Sequence, residues 1–206
     1  MKKIRLLIVD DHAVYRMGLA ALLETEPRIE IIGEADDGES AIREALRLRP
    51  DVILMDIMMP GADGIDATKA IHQQLPSVRI LVLTTSATSD DLAAALRNGA
   101  AGAINKSADN SRIVAAIYAV AEGRESVSPE IRRLIAEDPP APGLSARQSE
   151  ILQSITRGLS NQEIAKQLGI SPESVKEYVN NLFAKIGAAN RTEAAAIALR
   201  KHLTKL

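Results

Sequence analysis

The sequence predicts an α/β doubly wound sheet of five parallel strands, followed by a separate all-α domain of four helices. Three observations carry this. Short apolar runs alternate with stretches of helical periodicity from residue 4 to about residue 123, the pattern of successive βα units. Three of those runs end at Asp10-Asp11, Asp56 and Thr84, and a parallel strand buried on both faces reads as such a continuous apolar run. From Ser145 onward the strand-like runs cease, and helix start and stop signals recur at short intervals.

The first strand is Ile4 to Val9, and a helix over Ala13 to Glu24 follows with Val14, Met17, Leu19, Leu22 and Leu23 at helical spacing. Ile29 to Ile32 is a short strand. Ser40 to Leu48 is helical and stops before Arg49-Pro50, because a residue preceding proline is driven out of the α region. Val52 to Met55 leads into Asp56, a Pro60-Gly61 turn follows, and a helix from about Ile65 to Gln74 ends before Pro76. Ile80 to Leu83 leads into Thr84. A helix around Asp90 to Asn98 closes at Gly99, a residue suited to a left-handed cap. The last strand, Ala100 to Asn105, reaches Lys106, and a helix over Ser111 to Glu122 closes at Gly123. Residues 124–143 include Pro139-Pro140-Ala141-Pro142-Gly143, which favours extended backbone. They read as a linker between a domain of residues 1–123 and one of residues 144–206.

In the second domain, helices are expected at about 146–157, 161–168, 172–186 and 191–203. Ser145 with Gln148 and Ser160 with Glu163 have capping-box spacing, and Asn190 with Glu193 a weaker form of it. Ser171-Pro172 places a cap before a proline at the first helical position. Two short helices joined by a glycine-containing turn, the second longer, form a helix-turn-helix candidate. In the longer one Val175, Val179, Leu182 and Ile186 form one apolar stripe, and Lys176, Glu177, Asn180 and Ala184 lie opposite, with Asn181 beside them. In the major groove lysine can donate to guanine, asparagine can pair with adenine and glutamate can accept from cytosine. The first half of a recognition helix meets the base edges, so Lys176, Glu177 and Asn180 are the base-reading candidates. Lys166, Lys185 and Arg191 are candidates for phosphate contact. A solvated polar helix face on an ordinary bundle is the competing reading.

Composition narrows the function classes. The chain has no cysteine, which excludes disulfides and thiolate metal sites. Aromatic residues make up 2% of it, against the stacking platforms of single-strand nucleic-acid binders. Met1-Lys2-Lys3 is followed by too short an apolar run for a signal peptide, and no run approaches the ~18 residues of a membrane span. A cytoplasmic protein without membrane contact is expected. Leu144 to Leu206 holds nine basic and five acidic residues, and the remainder holds 16 and 22. An acidic first part joined to a basic second part suggests polyanion contact in the second.

In an open parallel sheet, ligands bind beyond the carboxyl ends of the strands. Asp10, Asp11, Asp56, Thr84 and Lys106 should therefore converge. Mg²⁺ takes a few carboxylates, keeps water and bridges to phosphate oxygens. Asp11 and Asp56 suit it as ligands, with Asp10 behind them or acting through water. A carboxylate relieved of its neighbours' repulsion can attack phosphorus. Thr84 can donate to a phosphoryl oxygen, and Lys106 can neutralise its charge.

Residues 4–123 resemble the flavodoxin-like receiver domain of two-component response regulators. The resemblance is carried by Ile8-Val9-Asp10-Asp11-His12, Leu54-Met55-Asp56-Ile57-Met58-Met59-Pro60-Gly61-Ala62-Asp63-Gly64, Val82-Leu83-Thr84-Thr85, and Asn98-Gly99-Ala100-Ala101-Gly102 leading to Lys106. Residues 144–203 resemble a LuxR-type helix-turn-helix of the NarL/FixJ subfamily. The carriers there are Leu144-Ser145-Ala146-Arg147-Gln148, Gly158-Leu159-Ser160-Asn161-Gln162-Glu163-Ile164-Ala165, Leu168-Gly169-Ile170-Ser171, Val175-Lys176 and Asn190-Arg191-Thr192-Glu193-Ala194. The resemblance implies that Asp56 accepts phosphate from a sensor histidine kinase. Asp11, Asp56 and the Met58 backbone carbonyl would hold Mg²⁺ or Mn²⁺. Thr84 would swing toward the phosphoryl group, and Lys106 would bind it. It implies a transcription factor rather than an enzyme, beyond catalysing its own phosphorylation and dephosphorylation. Phosphate would switch dimerisation and binding of duplex DNA, and the last helix is a candidate dimer contact. The chain departs from the family at Ala103, near where an aromatic is usual, at Ser107 for a common proline, and at Tyr178 for a common histidine.

Three other readings compete. A constitutive DNA-binding regulator would ignore phosphate. A pure interaction protein would bind another protein through its helical domain. An aspartyl-phosphate phosphatase needs a general acid, commonly an aspartate two residues after the nucleophile, where this chain has Met58.

Overall fold

Each apolar run that ends at an expected site residue is a strand of one parallel sheet. The strands are β1 (Ile4–Val9), β2 (Ile29–Ala35), β3 (Val52–Asp56), β4 (Arg79–Thr84), β5 (Ala100–Asn105) and β6 (Ser126–Val127). Their order across the sheet is β2-β1-β3-β4-β5-β6, every neighbouring pair parallel. The computed structural model describes residues 2–59, 64–140, 143–201 and 203. The chain divides into two compact units, Met1–Pro139 and Pro140–Leu206.

The helices of the first unit are α1 (Ala13–Leu23), α2 (Gly38–Leu48), α3 (Gly64–Gln74), α4 (Ser89–Arg97), α5 (Asn110–Ala121) and α6 (Pro129–Glu137). Strand side chains alternate between two cores. Leu7, Val9, Ile53, Met55, Val82 and Ala103 face one side with Ala45, Ile71, Leu92 and Ile131 from α2, α3, α4 and α6. Leu6, Ile8, Leu54, Leu81 and Leu83 face the other with Leu19, Leu23, Ile113 and Ile117 from α1 and α5. With both faces covered, β3 and the buried stretches Leu6–Val9 of β1 and Ile80–Leu83 of β4 need no polar positions, which explains their unbroken apolar runs. Each fully buried Leu, Ile or Val contributes about 1.5–3 kcal/mol relative to exposure.

Two expectations require correction. The sheet has six strands where five were expected, and residues 124–143 are not a linker throughout. Ser126–Val127 pairs in parallel with β5, and Pro129–Glu137 is helical. The Ser128 Oγ accepts from the Ile131 N–H at 3.4 Å, Pro129 sits in the first turn, and Ile131 and Ile135 pack against the sheet. A cap, a first-turn proline and apolar residues one turn apart are sufficient to hold this segment on the sheet edge. The expected Pro60-Gly61 turn and the Ala141-Pro142 part of the linker lie outside the described residues.

The second unit contains α7 (Ala146–Thr156), α8 (Asn161–Leu168), α9 (Pro172–Ile186) and α10 (Arg191–Arg200). Ser145 with Gln148 and Ser160 with Glu163 form complete capping boxes. Gly169 and Gly187 end α8 and α9 at φ 64° and 73°, a conformation only glycine adopts without strain. Ile151, Leu152, Ile155, Ile164, Val175, Val179, Leu182 and Ala194 make the core. Ser160→Ala is expected to lower the thermal stability of this unit by about 1 kcal/mol, the usual loss for an N-cap. A melting curve of the chain against wild type checks this.

Candidate functional site

The sheet order reverses direction at β1, whose neighbours are β2 and β3. This is the switch point at which doubly wound sheets bind ligands. Asp10 and Asp11 follow β1, and Asp56 closes β3. Thr84 closes β4, one strand away, and Lys106 follows β5.

Asp10, Asp11, Asp56 and Lys106 come together, and Thr84 lies at the end of the neighbouring strand. Asp10 and Asp56 are 0% and 1% exposed. The Lys106 ammonium lies 2.6 Å from Asp10 Oδ2 and 2.6 Å from Asp56 Oδ2. Backbone amides hold the other oxygens: His12 N donates to Asp10 Oδ1 at 2.9 Å, and Met58 N to Asp56 Oδ1 at 2.9 Å. Thr84 is buried; its hydroxyl oxygen accepts from the Ala87 N–H at 3.0 Å, and its carbonyl accepts from Lys106 N at 2.8 Å.

The donor set fits a hard divalent cation. Asp10, Asp11, His12 and Asp56 each offer a ligand atom, all within 4.8 Å of one another. Asp10 Oδ2 and Asp11 Oδ1 are both buried, and Asp11 Oδ1 receives no hydrogen bond. Buried carboxylate oxygens require a compensating charge. Lys106 supplies one at 2.6 Å from Asp10 Oδ2, while Asp11 Oδ1 has the His12 Nδ1 2.7 Å away. Carboxylate oxygens in this density are the ligands that Mg²⁺ or Mn²⁺ prefers.

Opposing effects set the charge of Lys106. Burial is the largest and pulls its pKa down; hydrogen bonds to Asp10 and Asp56, with their charges, outweigh it and leave the ammonium above its ordinary value. Tyr15 adds a ring 4.9 Å from the Lys106 nitrogen, and its hydroxyl lies 3.4 Å from the Lys106 carbonyl.

Three contributors were not singled out from the sequence. These are His12 against Asp11, Tyr15 over Lys106, and Arg16, which donates to the Asp10 carbonyl and to Glu34 Oε2. Position alone offered a hint: His12 adjoins the paired aspartates, and Arg16 lies one helical turn on.

Gly64, the first residue of α3, is also part of the site's frame. A Cβ there would lie 2.1 Å from the Asp56 carbonyl oxygen and 2.7 Å from the Ile57 Cα. Both are backbone atoms with little freedom to give way. Gly64→Ala is expected to displace the end of β3 and destabilise the first unit by about 1–3 kcal/mol, the usual penalty for overpacking. Urea unfolding of wild type and variant measures this.

In the second unit, Lys176, Glu177 and Asn180 are exposed on α9, and Val175, Val179 and Leu182 on its other side are buried. Lys166 is exposed on α8. Lys185 is exposed and donates to Gln148 Oε1 at 3.1 Å. Arg191 is placed differently from a free phosphate ligand. Its guanidinium donates to the Leu159 carbonyl and, at 3.3 Å, to Asn161 Oδ1, pinning the turn before α8 to the start of α10. Burial lowers its pKa. Arg147 has a similar structural part, donating to the Leu168 carbonyl at 3.2 Å. Among the described residues no helix is long and apolar enough to cross a membrane.

Comparison with known proteins gives a family for each unit. Residues 6–118 match the response regulator receiver domain, and residues 142–198 match the bacterial regulatory proteins of the luxR family. The chain is 40% identical to the transcriptional regulatory protein LiaR of Bacillus subtilis, over 97% of this chain and 99% of LiaR. Among solved structures it is similar to the response regulator ChrA of a heme-sensing two-component system (38% identity, 98% of this chain and 100% of that one, TM-score 0.59). It is also similar to RcsB from Salmonella enterica serovar Typhimurium bound to promoter rprA with the phosphomimetic BeF3⁻ (28% identity, 96% and 99%, TM-score 0.68).

Proposed function

The chain belongs to the two-component response regulators of the NarL/FixJ type and is a DNA-binding transcriptional regulator, and on that premise we propose that phosphorylation of Asp56 controls its DNA binding. The observation that supports this best is the placement of Asp56. It is buried at the end of β3, with the Lys106 ammonium 2.6 Å from one oxygen and the Met58 N–H 2.9 Å from the other.

In the reaction, a carboxylate oxygen of Asp56 forms the new bond to phosphorus. The bond from phosphorus to the imidazole nitrogen of a sensor histidine kinase breaks, and that nitrogen keeps the electron pair. Asp11, Asp56 and the Met58 carbonyl would hold Mg²⁺ or Mn²⁺, which supplies positive charge to the phosphoryl oxygens; Asp10 stands behind them on Lys106. Lys106 follows the phosphoryl charge as a point cation. The Thr84 hydroxyl donates to a phosphoryl oxygen after leaving the Ala87 amide. Incubation with acetyl phosphate and Mg²⁺ tests the acceptor assignment. One phosphoryl group should appear by intact mass and map to Asp56; its appearance on another residue, or nowhere, would overturn the assignment.

The phosphorylated chain acts as a homodimer, because two reading domains on two half-sites gain avidity over one. Lys176, Glu177 and Asn180 read base edges in the major groove of duplex DNA, and Lys166 and Lys185 contact phosphates. Arg191 contributes to this surface by holding α8 in place. Asn180→Ala is expected to weaken binding to the cognate site by about 1–3 kcal/mol and to relax preference at one base pair. Lys166→Ala is expected to weaken binding equally for all sequences and to reduce the salt slope by about 1. Titrations of duplex DNA at several salt concentrations distinguish the two effects.

A further inference from the structure

Residues 126–138 form a strap along the edge of the sheet and end where the chain passes through Pro139-Pro140 into the second unit. At one end, β6 pairs with β5, Gly102 opposite Ser126 and Ala103 opposite Val127, and Ser128 N donates to the Ala103 carbonyl at 2.9 Å. A Cβ on Gly102 would lie 2.2 Å from the Ser126 carbonyl oxygen. β6 thus fits only because position 102 has no side chain. In the middle, Ile131 is 4% exposed within the core that also holds Ala103. At the other end, Asp138 closes α6, and its Oδ2 accepts from the Ser89 hydroxyl at 2.9 Å. Ser89 is the buried first residue of α4.

The same short loop carries the site's hydroxyl. Thr84 Oγ1 accepts from the Ala87 N–H, and Ser89 is two residues further on. Two hydrogen bonds, with the backbone from Ala87 to Ser89 between them, therefore connect the Thr84 hydroxyl to the last residue of the strap. The strap buries little apolar surface: β6 has two residues, and Ile131 is the one residue of α6 buried outright. A segment with so little buried apolar surface opens at low free-energy cost.

We propose that this strap reports the state of Asp56 to the second unit. When the Thr84 hydroxyl turns to a phosphoryl group it releases the Ala87 amide. The 85–88 loop then moves, Ser89 leaves Asp138, and residues 126–138 loosen from the sheet edge. The inference rests on the reading of Asp56 as phosphoacceptor.

Hydrogen exchange of the full chain, read by mass spectrometry with and without beryllium fluoride and Mg²⁺, tests it. In wild type, the ligand should protect amides near Asp56 and speed exchange over 126–138 about fivefold, the equivalent of ~1 kcal/mol for one hydrogen bond. Ser89→Ala and Asp138→Ala should show the faster exchange without ligand and gain little from it. Asp56→Ala should not respond. Protection near Asp56 with unchanged exchange over 126–138, or a strap in Ser89→Ala as slow as in wild type, would overturn the inference and leave the acceptor assignment standing. No response anywhere in wild type would overturn both.

Discussion

Lys106→Met is expected to lower the unfolding free energy of the metal-free chain by about 3 kcal/mol, the lower end of what breaking a buried ion pair costs. Lys106 is the cation 2.6 Å from both Asp10 and Asp56, and its side chain is 7% exposed. Without it, two adjacent buried carboxylates face each other uncompensated, since the methionine side chain fills the space but carries no charge. Mg²⁺ should recover part of the deficit in the variant and do less for wild type, because the cation replaces the missing ammonium. Urea unfolding with and without Mg²⁺ measures both effects. Equal stability of variant and wild type without metal would show that the ion pairs contribute nothing to the fold. The same contacts set an alkaline limit. Lys106 titrates higher when folded than its ordinary 10.5, so the folded state binds the proton more tightly than the unfolded one. Its contribution is complete below the ordinary value and fades as pH rises through the folded one.

Asp56→Ala is expected to have the largest functional effect. It removes the proposed phosphoacceptor and one of the clustered carboxylates, so acetyl phosphate should leave the variant unmodified and its DNA affinity unchanged. The resting affinity should stay near that of unphosphorylated wild type, because the second unit keeps its own core and its own exposed face on α9. This separates the switch from the reader. Loss of all DNA binding in the variant would indicate a folding defect, which the urea curve detects independently.

The sheet and its site were legible for one physical reason. Strands covered on both faces must be apolar throughout, and their polar ends then stand out, as at Asp10-Asp11, Asp56 and Thr84. The capping boxes at Ser145 and Ser160 were legible because the motif is local. β6 was not, since two residues show no periodicity and their pairing depends on the absence of a side chain at Gly102 on the neighbouring strand β5. α6 carried a usable signal, Ser128-Pro129, of the same type as Ser171-Pro172. The prolines downstream drew the whole segment into the linker instead. Arg191 shows a different limit: sequence identifies a cation but not whether its donors are already engaged, here by the Leu159 carbonyl and Asn161.

Gel shift of one duplex by wild type and Asp56→Ala, with and without acetyl phosphate and Mg²⁺, reads directly whether phosphate on Asp56 sets DNA affinity. Phosphorylated wild type should gain at least about tenfold in affinity, ~1.4 kcal/mol of dimer avidity, and the variant nothing. Equal affinity in all four arms, with phosphorylation of wild type verified by mass, would contradict this control by phosphate.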